Sequence, residues 1–212
     1  MLTPMLTSQL AVAVEDDTSG ATGVVRQVID GLLELVDDPR RLRATVDHLA
    51  ARLPWCAPMW HVERAAYATA PALALRLLRE QLDVNVDRSV EAALKLLTER
   101  GCAVRTAPGS ALVGAVLDAL PAPTTPGWVT GLVGADALGP TAVLNIVGTR
   151  DLARAVPTVI VTTSQKLVPE QPFQRLGAVG FEQVPLGLFE MVVLDGELLT
   201  PADVSRRAAA LG

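Results

Sequence analysis

The chain is poor in the side chains that most often carry out chemistry. Its 212 residues include only two cysteines and two histidines. Cys56 and Cys102 supply neither a disulfide framework nor a cysteine zinc site, and free thiols in this number fit a reducing cytoplasm. Aromatic residues make up 3% of the chain, so its core must be aliphatic, with each Ala, Leu or Val burying less area than Phe or Trp would. Basic charge is also short: 18 Lys and Arg face 23 Asp and Glu, and the isoelectric point is near 5.0. That balance argues against nucleic acid as a partner. No run approaches the roughly 20 apolar residues of a membrane span, and no basic segment precedes the first apolar stretch. A cytoplasmic protein with no membrane association is expected. No Walker loop, dinucleotide fingerprint, HExxH, zinc deaminase pair or nucleophile elbow occurs.

What is present is a folded-protein composition, half hydrophobic and 19% charged. A chain this long buries about 70% of its potential surface around one substantial core. Up to about residue 100 the apolar spacing is helical. An apolar piece at 9–14 meets the acidic run Glu15-Asp16-Asp17-Thr18-Ser19-Gly20, and Val24, Val25, Val28, Leu32 and Leu33 then recur at spacings of three and four. Asp38 before Pro39 reads as a cap followed by a proline at the first helical position, with Leu42, Val46, Leu49 and Leu53 as the apolar stripe. Residues 54–60 (PWCAPMW) form a joint. A helix is expected over 62–82 with a kink or break at Pro71, and another over 87–99.

After Gly101 the pattern changes. Strands are expected at 102–106, 128–133, 158–162 and 191–194, with helices at 110–119 and 145–156 between them. Parallel strands need crossovers, so this alternation predicts α/β organisation with an open sheet. Residues 163–190 read as a loop with a short element, and Thr200-Pro201-Ala202-Asp203 opens a last helix. The expected division is a helical region, 1–100, packed on a mainly parallel α/β region, 101–212, the two forming either separate units or one integrated domain.

Three short segments bear on chemistry. Thr106-Ala107-Pro108-Gly109-Ser110 joins a strand to a helix. Its backbone donors and Ser110 can hold a phosphate, or Ser110 can simply cap the helix. Gly131-Leu132-Val133-Gly134-Ala135-Asp136 ends a strand in an acid, placed for hydrogen bonding or proton transfer at the carboxyl edge of a sheet, or for an ordinary turn bond. Asn145-Ile146-Val147-Gly148-Thr149-Arg150 offers a helix cap at Asn145 and close approach at Gly148, with Thr149 facing either ligand or solvent. His48 and His61 lie in the helical half without a third ligand at an informative spacing and are read as structural.

The segments GLVGADAL, LNIVGTRDLA, TVIVTTSQKLVP and FEQVPLGLFEMVVLDGELLTPADV, in this order over residues 129–204, resemble the translation initiation factor 2B alpha/beta/delta family. That family also contains methylthioribose 1-phosphate and ribose 1,5-bisphosphate isomerases. The resemblance implies a helical region followed by a reduced Rossmann-like domain, assembled as a dimer. In the isomerase branch a cysteine and an aspartate convert a phosphorylated aldose to a ketose. The aspartate falls on Asp136, but the cysteine position is about Pro108, so the thiol is absent. The family's asparagine-lysine-isoleucine-glycine-threonine run reads NIVGT here, with Ile146 in place of lysine, while Lys166 matches a later basic position. Ser19-Gly20-Ala21 resembles an N-terminal run whose helix-terminal donors approach the ligand. Between the 110–119 helix and Gly131 the family carries further strand–helix units and an arginine-containing loop. The ten residues PAPTTPGWVT cannot hold even one crossover unit of about 30 residues.

The resemblance and these departures lead to a noncatalytic or regulatory protein that binds a phosphorylated sugar or nucleotide through Gly109, Ser110, Gly134, Asp136, Asn145, Gly148, Thr149 and Lys166. It would need no cofactor or metal and would form a homodimer. Two alternatives stand beside it: a divergent aldose–ketose isomerase for a phosphorylated pentose with Asp136 as its base, and an interaction subunit without a small-molecule ligand.

Overall fold

A computed structural model describes residues 7–16, 20–124 and 127–212. Helices α1 (Ser8–Glu15), α2 (Gly20–Leu33), α3 (Pro39–Arg52), α4 (Pro58–Ala66) and α5 (Pro71–Arg100) precede the first strand. Asp38 accepts a hydrogen bond from the Arg41 N–H at the start of α3, as expected of a cap before Pro39. Pro71 stands in the first turn of α5, where its missing donor costs nothing. The chain therefore breaks before Pro71 and then runs unbroken for 30 residues, instead of ending near 82 and restarting at 87. No Gly or Pro interrupts residues 72–100. Gly101, at φ +59°, ends the helix by donating to the Leu97 and Thr98 carbonyls.

The remaining elements are β1 (Ala103–Thr106), α6 (Ala111–Ala119), β2 (Val129–Val133), β3 (Ala137–Leu138), β4 (Ala142–Ile146), α7 (Thr149–Ala155), β5 (Thr158–Thr162), α8 (Glu170–Phe173), β6 (Phe181–Pro185), β7 (Met191–Leu194), β8 (Glu197–Leu199) and α9 (Pro201–Ala209). A five-stranded sheet has the order β1-β2-β5-β7-β8. Its first four strands are parallel and β8 is antiparallel. This is the mixed α/β, mainly parallel architecture expected. Because β1 pairs directly with β2, β1–α6–β2 is itself a complete crossover, and the segment after α6 only returns the chain to the sheet.

The expected 145–156 helix is corrected. Residues 142–146 form β4, which pairs with β3 and β6 in a separate antiparallel sheet of three strands, and only Thr149–Ala155 is helical. Pairing with β6, distant in sequence, outweighs the local helical spacing. Asn145 is accordingly a strand residue, and Gly148, at φ +100°, occupies the cap of α7. The segment expected to be a loop supplies β6, α8 and two 3-10 turns, one of which is Ser164–Lys166.

Alternation along the parallel strands divides the core. Leu132, Val159, Val161 and Val193 pack with Ala93 and Leu97 of α5 and Val113 and Val116 of α6. Val133, Ile160, Val192 and Leu194 pack on the opposite face with Ala153 of α7 and Val204 and Ala208 of α9. A third cluster fills the helical region, from Leu10 through Leu75 and Leu82. Helix α5 belongs to both the helical and the sheet clusters. Arg26 and Arg79 add ion pairs to Asp83, and Arg79 another to Asp30, tying α2 to α5. Among the described residues, no helix is long and apolar enough to cross a membrane.

Candidate functional site

The carboxyl ends of β1, β2 and β5 lie side by side, and each is followed by a segment carrying polar groups. Gly109 and Ser110 follow β1, Asp136 follows β2, and Thr163 and Lys166 follow β5. The strands run in chain order across the sheet, so no reversal of strand order opens a crevice between neighbours. The helical region makes the opposite wall instead, through Gly20, Ala21 and Thr22 at the start of α2 and through Trp55.

Two recesses adjoin there. The inner cleft, about 40 Å³, is lined by the first residues of α2, by Gly109 to Leu112 at the start of α6, and by Asp136, Asn145, Thr163 and Lys166. At about 10–15 Å³ per water it has room for a few waters or one small oxyanion. The outer cavity, about 470 Å³, shares Gly20, Gly109, Asp136 and Asn145 with the cleft and extends to Val14, Glu15, Asp16, Trp55, Pro108, Ile146, Ala178 and Phe181.

Most polar groups of the cleft are held by their neighbours in space. Ser110 caps α6, its Oγ accepting from the Val113 N–H at 3.3 Å. Gly109, at φ +94°, supplies the left-handed turn that brings the chain there. Asp136 donates its backbone N–H to the Leu144 carbonyl at 2.9 Å, which fixes the turn after β2 to β4. Lys166 is buried, with Nζ 3.7 Å from an Asp136 carboxylate oxygen. Its 3-10 turn is anchored from below: the Ser164 N–H donates to Asp195, the Asn85 amide donates to the Ser164 hydroxyl, and the Ser89 hydroxyl donates to the Thr162 carbonyl. The buried Thr163 hydroxyl lacks a hydrogen-bond partner, and its residue lines the cleft.

Five of the eight candidate residues therefore line the recesses: Gly109, Ser110, Asp136, Asn145 and Lys166. The other three stand behind them. A Cβ on Gly134 would lie 2.4 Å from Ser110 Oγ, so this glycine lets β2 approach the α6 cap. Thr149 is fully buried. Its hydroxyl donates to the Ile146 carbonyl and accepts from the Asn145 amide, which also donates to the Gly134 carbonyl. The Gly148 and Arg150 N–H groups both donate to Glu182, which plugs the start of α7. Ser19 lies outside the described residues, whereas Gly20 and Ala21 line the cleft.

The sequence reading missed two contributors. Cys56 is buried against the Ala21 carbonyl, and burial pushes its thiol up to about 12, the Lys166 ammonium opposing that shift and Asp136 adding to it. A thiol held protonated in this way is no nucleophile. Nothing in the spacing of the WCAP joint signals that the fold brings it beneath the cleft. His61 Nε2 lies 2.8 Å from the carbonyl of Leu167, which can only accept, so this nitrogen carries a proton and pins the segment next to Lys166. Cys102 is remote from this chemistry, its Sγ 3.2 Å from Thr130 Oγ1 within the sheet. Among the described residues, no three His, Cys, Asp or Glu side chains gather as a metal site.

No protein-family model matches the sequence, and no curated protein is detectably similar to it. Solved structures are similar in fold. Translation initiation factor eIF-2B of Pyrococcus horikoshii OT3 is 12% identical, with a TM-score of 0.69, over 92% of this chain and 96% of that one. A chain of the tetrameric eIF2B-beta2-delta2 complex of C. thermophilum is 12% identical, with a TM-score of 0.66, over 97% and 93%. The 5-methylthioribose 1-phosphate isomerase of Pyrococcus horikoshii OT3 is 10% identical, with a TM-score of 0.58, over 96% and 87%. At these identities what is shared is the fold, and it is the fold that the sequence resemblance implied.

Proposed function

We propose that this chain is a divergent relative of initiation factor 2B and of the sugar-phosphate isomerases, and that it binds a phosphorylated metabolite without transforming it. The observation that carries this reading is the convergence of two helix N-termini, those of α2 and α6, on a cleft that also holds Lys166 and the unpartnered Thr163 hydroxyl. Unpaired N–H groups and the positive ends of helix dipoles favour an oxyanion there, and a buried ammonium adds full charge. Asp136 and Asn145, at the junction of the two recesses, suit sugar hydroxyls. The noncatalytic assignment rests on the turn at about Pro108, where the resemblance implies the isomerases' cysteine and this sequence has none, and on the burial that holds the Cys56 thiol protonated.

The Asp136–Lys166 pair favours a second reading, isomerisation of an aldose phosphate. The carboxylate would take a proton from carbon and the ammonium would stabilise the neighbouring oxygen. A calorimetric screen of phosphorylated pentoses and nucleotides, with product detection for every ligand that binds, separates the two. Saturable binding without turnover supports the first reading. Stereospecific conversion abolished by D136N establishes the second. Failure to bind any phosphorylated compound, together with a tightly copurifying protein, would establish an interaction subunit instead.

In this reading residues 1–100 and 101–212 act as one integrated domain, because α5 contributes to the cores of both. The protein is cytoplasmic and forms a homodimer, as the high apolar fraction and the oligomeric assembly of its structural neighbour suggest. Light scattering at several concentrations tests the dimer, and a persistent mass near 22.3 kDa would exclude it.

A further inference from the structure

The two sheets have four edge strands, and three of them are guarded against further pairing. Strand β8 is three residues long and opens with Glu197, which is paired with Arg207. Strand β3 is two residues long and is bridged by Leu167. Strand β6 carries Glu182 and ends in Pro185, which has no N–H to offer. The fourth, β1, is four residues long, holds neither proline nor an acidic residue, and pairs with β2 alone. Ala103, Arg105 and Thr106 are exposed there, and among the described residues the return from α6 to β2 adds no strand beside them. We propose that β1 is the dimerisation surface. It pairs antiparallel with β1 of a second copy about a two-fold axis at Val104, joining the two larger sheets into one. This rests on the homodimer proposed above and adds the surface that forms it.

The register follows from which backbone groups are free. The Ala103 N–H donates to the Trp128 carbonyl, and Ala103 and Arg105 stand opposite Val129 and Gly131, so both turn their backbone groups to β2. By alternation Val104 and Thr106 turn theirs outward. A two-fold axis makes its central residue face itself, and only an outward-turned residue then exchanges both hydrogen bonds with its copy. Centred on Val104, the two valines make that exchange, and Thr106 of each copy meets Cys102 of the other. The same register sets each Arg105 opposite the small Ala103 of the second copy, so the guanidiniums do not oppose one another. Val104 belongs to the cluster that holds Val113 and Val116 of α6, yet it is only half-buried within one chain. Its counterpart across the axis covers it, and both copies of α6, each with an exposed Leu117, stay on that side of the joined sheet.

Sedimentation of the full chain and a cross-linking assay test the proposal. Thr106→Pro removes an outward N–H from an exposed residue, and the dimer dissociation constant should rise at least about tenfold as two hydrogen bonds across the axis are lost. Circular dichroism checks that the fold is kept. Val104→Cys sets two thiols across the axis with Cα atoms about 5.5 Å apart, within the span of a disulfide. Mild oxidation should convert that variant to a covalent dimer. Leu198→Cys, exposed on β8 at the opposite edge of the sheet, should remain largely unlinked, and the native Cys56 and Cys102 are buried. Val104→Cys stays informative if Thr106→Pro fails to fold. If the wild type dimerises but Thr106→Pro does so equally well and Val104→Cys links no faster than Leu198→Cys, the surface is wrong and the dimer stands. If the wild type stays monomeric at every concentration, both fall, and the edge is left to a strand of another protein.

Discussion

Two strand-to-helix turns in this molecule are written in nearly the same way and end differently. Thr106 to Ser110 leads from β1 into α6, and Asn145 to Thr149 leads from β4 into α7. Each turns on a glycine in the left-handed region, Gly109 at φ +94° and Gly148 at φ +100°. At α6 the side chain of Ser110 takes one N–H and leaves the first residues of the helix lining a cleft. At α7 the Glu182 carboxylate takes the N–H groups of Gly148 and Arg150 and pairs with the Arg150 guanidinium. A helix N-terminus is thus a potential anion site only until the chain supplies its own anion. Here the supplier is β6, 32 residues beyond Arg150 in sequence.

Removing that internal anion should have the largest effect. The Glu182 side chain is 19% exposed. Glu182→Ala leaves the Gly148 and Arg150 N–H groups without their acceptor and breaks the ion pair of the Arg150 guanidinium, which keeps the Gln183 carbonyl, at an expected cost of about 2–3 kcal/mol in urea unfolding. Phosphometabolite binding should survive in the folded fraction, because α7 does not line the crevice. Loss of binding in folded protein would mean that the two turns are not functionally separate.

Closing the gap between β2 and α6 is the next largest step. In Gly134→Ala the new Cβ would sit 2.4 Å from Ser110 Oγ and 2.7 Å from its Cβ, and the latter cannot rotate away. Destabilisation of about 1–3 kcal/mol is expected, accompanied by weaker binding as the start of α6 shifts. Combining it with Ser110→Gly should recover part of the loss. Strictly additive costs, measured in a double-mutant cycle, would show that the contact does not matter.

The same pair of turns shows what was legible beforehand. Ser110 was readable as a cap because capping needs only the local chain, and the same holds for Asp38 and Thr200, whose capping box with Asp203 is formed. The parallel strands were readable from their apolar runs. Asn145 was misassigned to a helix because its true partner, β6, lies far along the chain and no local pattern announces the pairing. Gly134, Gly148 and Thr149 were grouped with ligand-facing residues because small and polar types suit either a crevice or a tight joint; only the neighbours in space distinguish the two. Cys56 was set aside because two cysteines make neither a disulfide framework nor a zinc site, and His61 for want of a third ligand. Tertiary packing places one beside the Ala21 carbonyl and the other at the Leu167 carbonyl.

A smaller effect isolates the α6 cap. Ser110→Ala removes the acceptor for the Val113 N–H and should cost about 1 kcal/mol in chemical denaturation. Ser110→Gly should cost only a few tenths, since a glycine cap leaves the backbone solvated. If ligand affinity falls equally in both variants while stability falls only in Ala, the hydroxyl contacts the ligand as well as the helix. Unchanged affinity in both would confine Ser110 to capping.

The smallest expected effect tests whether the helical wall holds the Lys166 segment in place through His61. Burial lowers the pKa of His61, with the Leu167 carbonyl opposing that shift and the Arg64 charge adding to it. The unfolded chain therefore takes up a proton near the ordinary histidine value of about 6.5 while the folded protein does not. The stability contributed by neutral His61 is complete above that pH and declines as the pH falls toward the depressed folded value. Glu63, whose pKa is raised by burial and by Asp47, works in the opposite direction. The informative quantity is therefore the difference between the wild type and His61→Gln, which keeps a donor for the Leu167 carbonyl but cannot titrate. That difference should narrow between pH 7 and pH 5 as the wild type loses its advantage. A difference independent of pH would show that His61 is not buried in its neutral form.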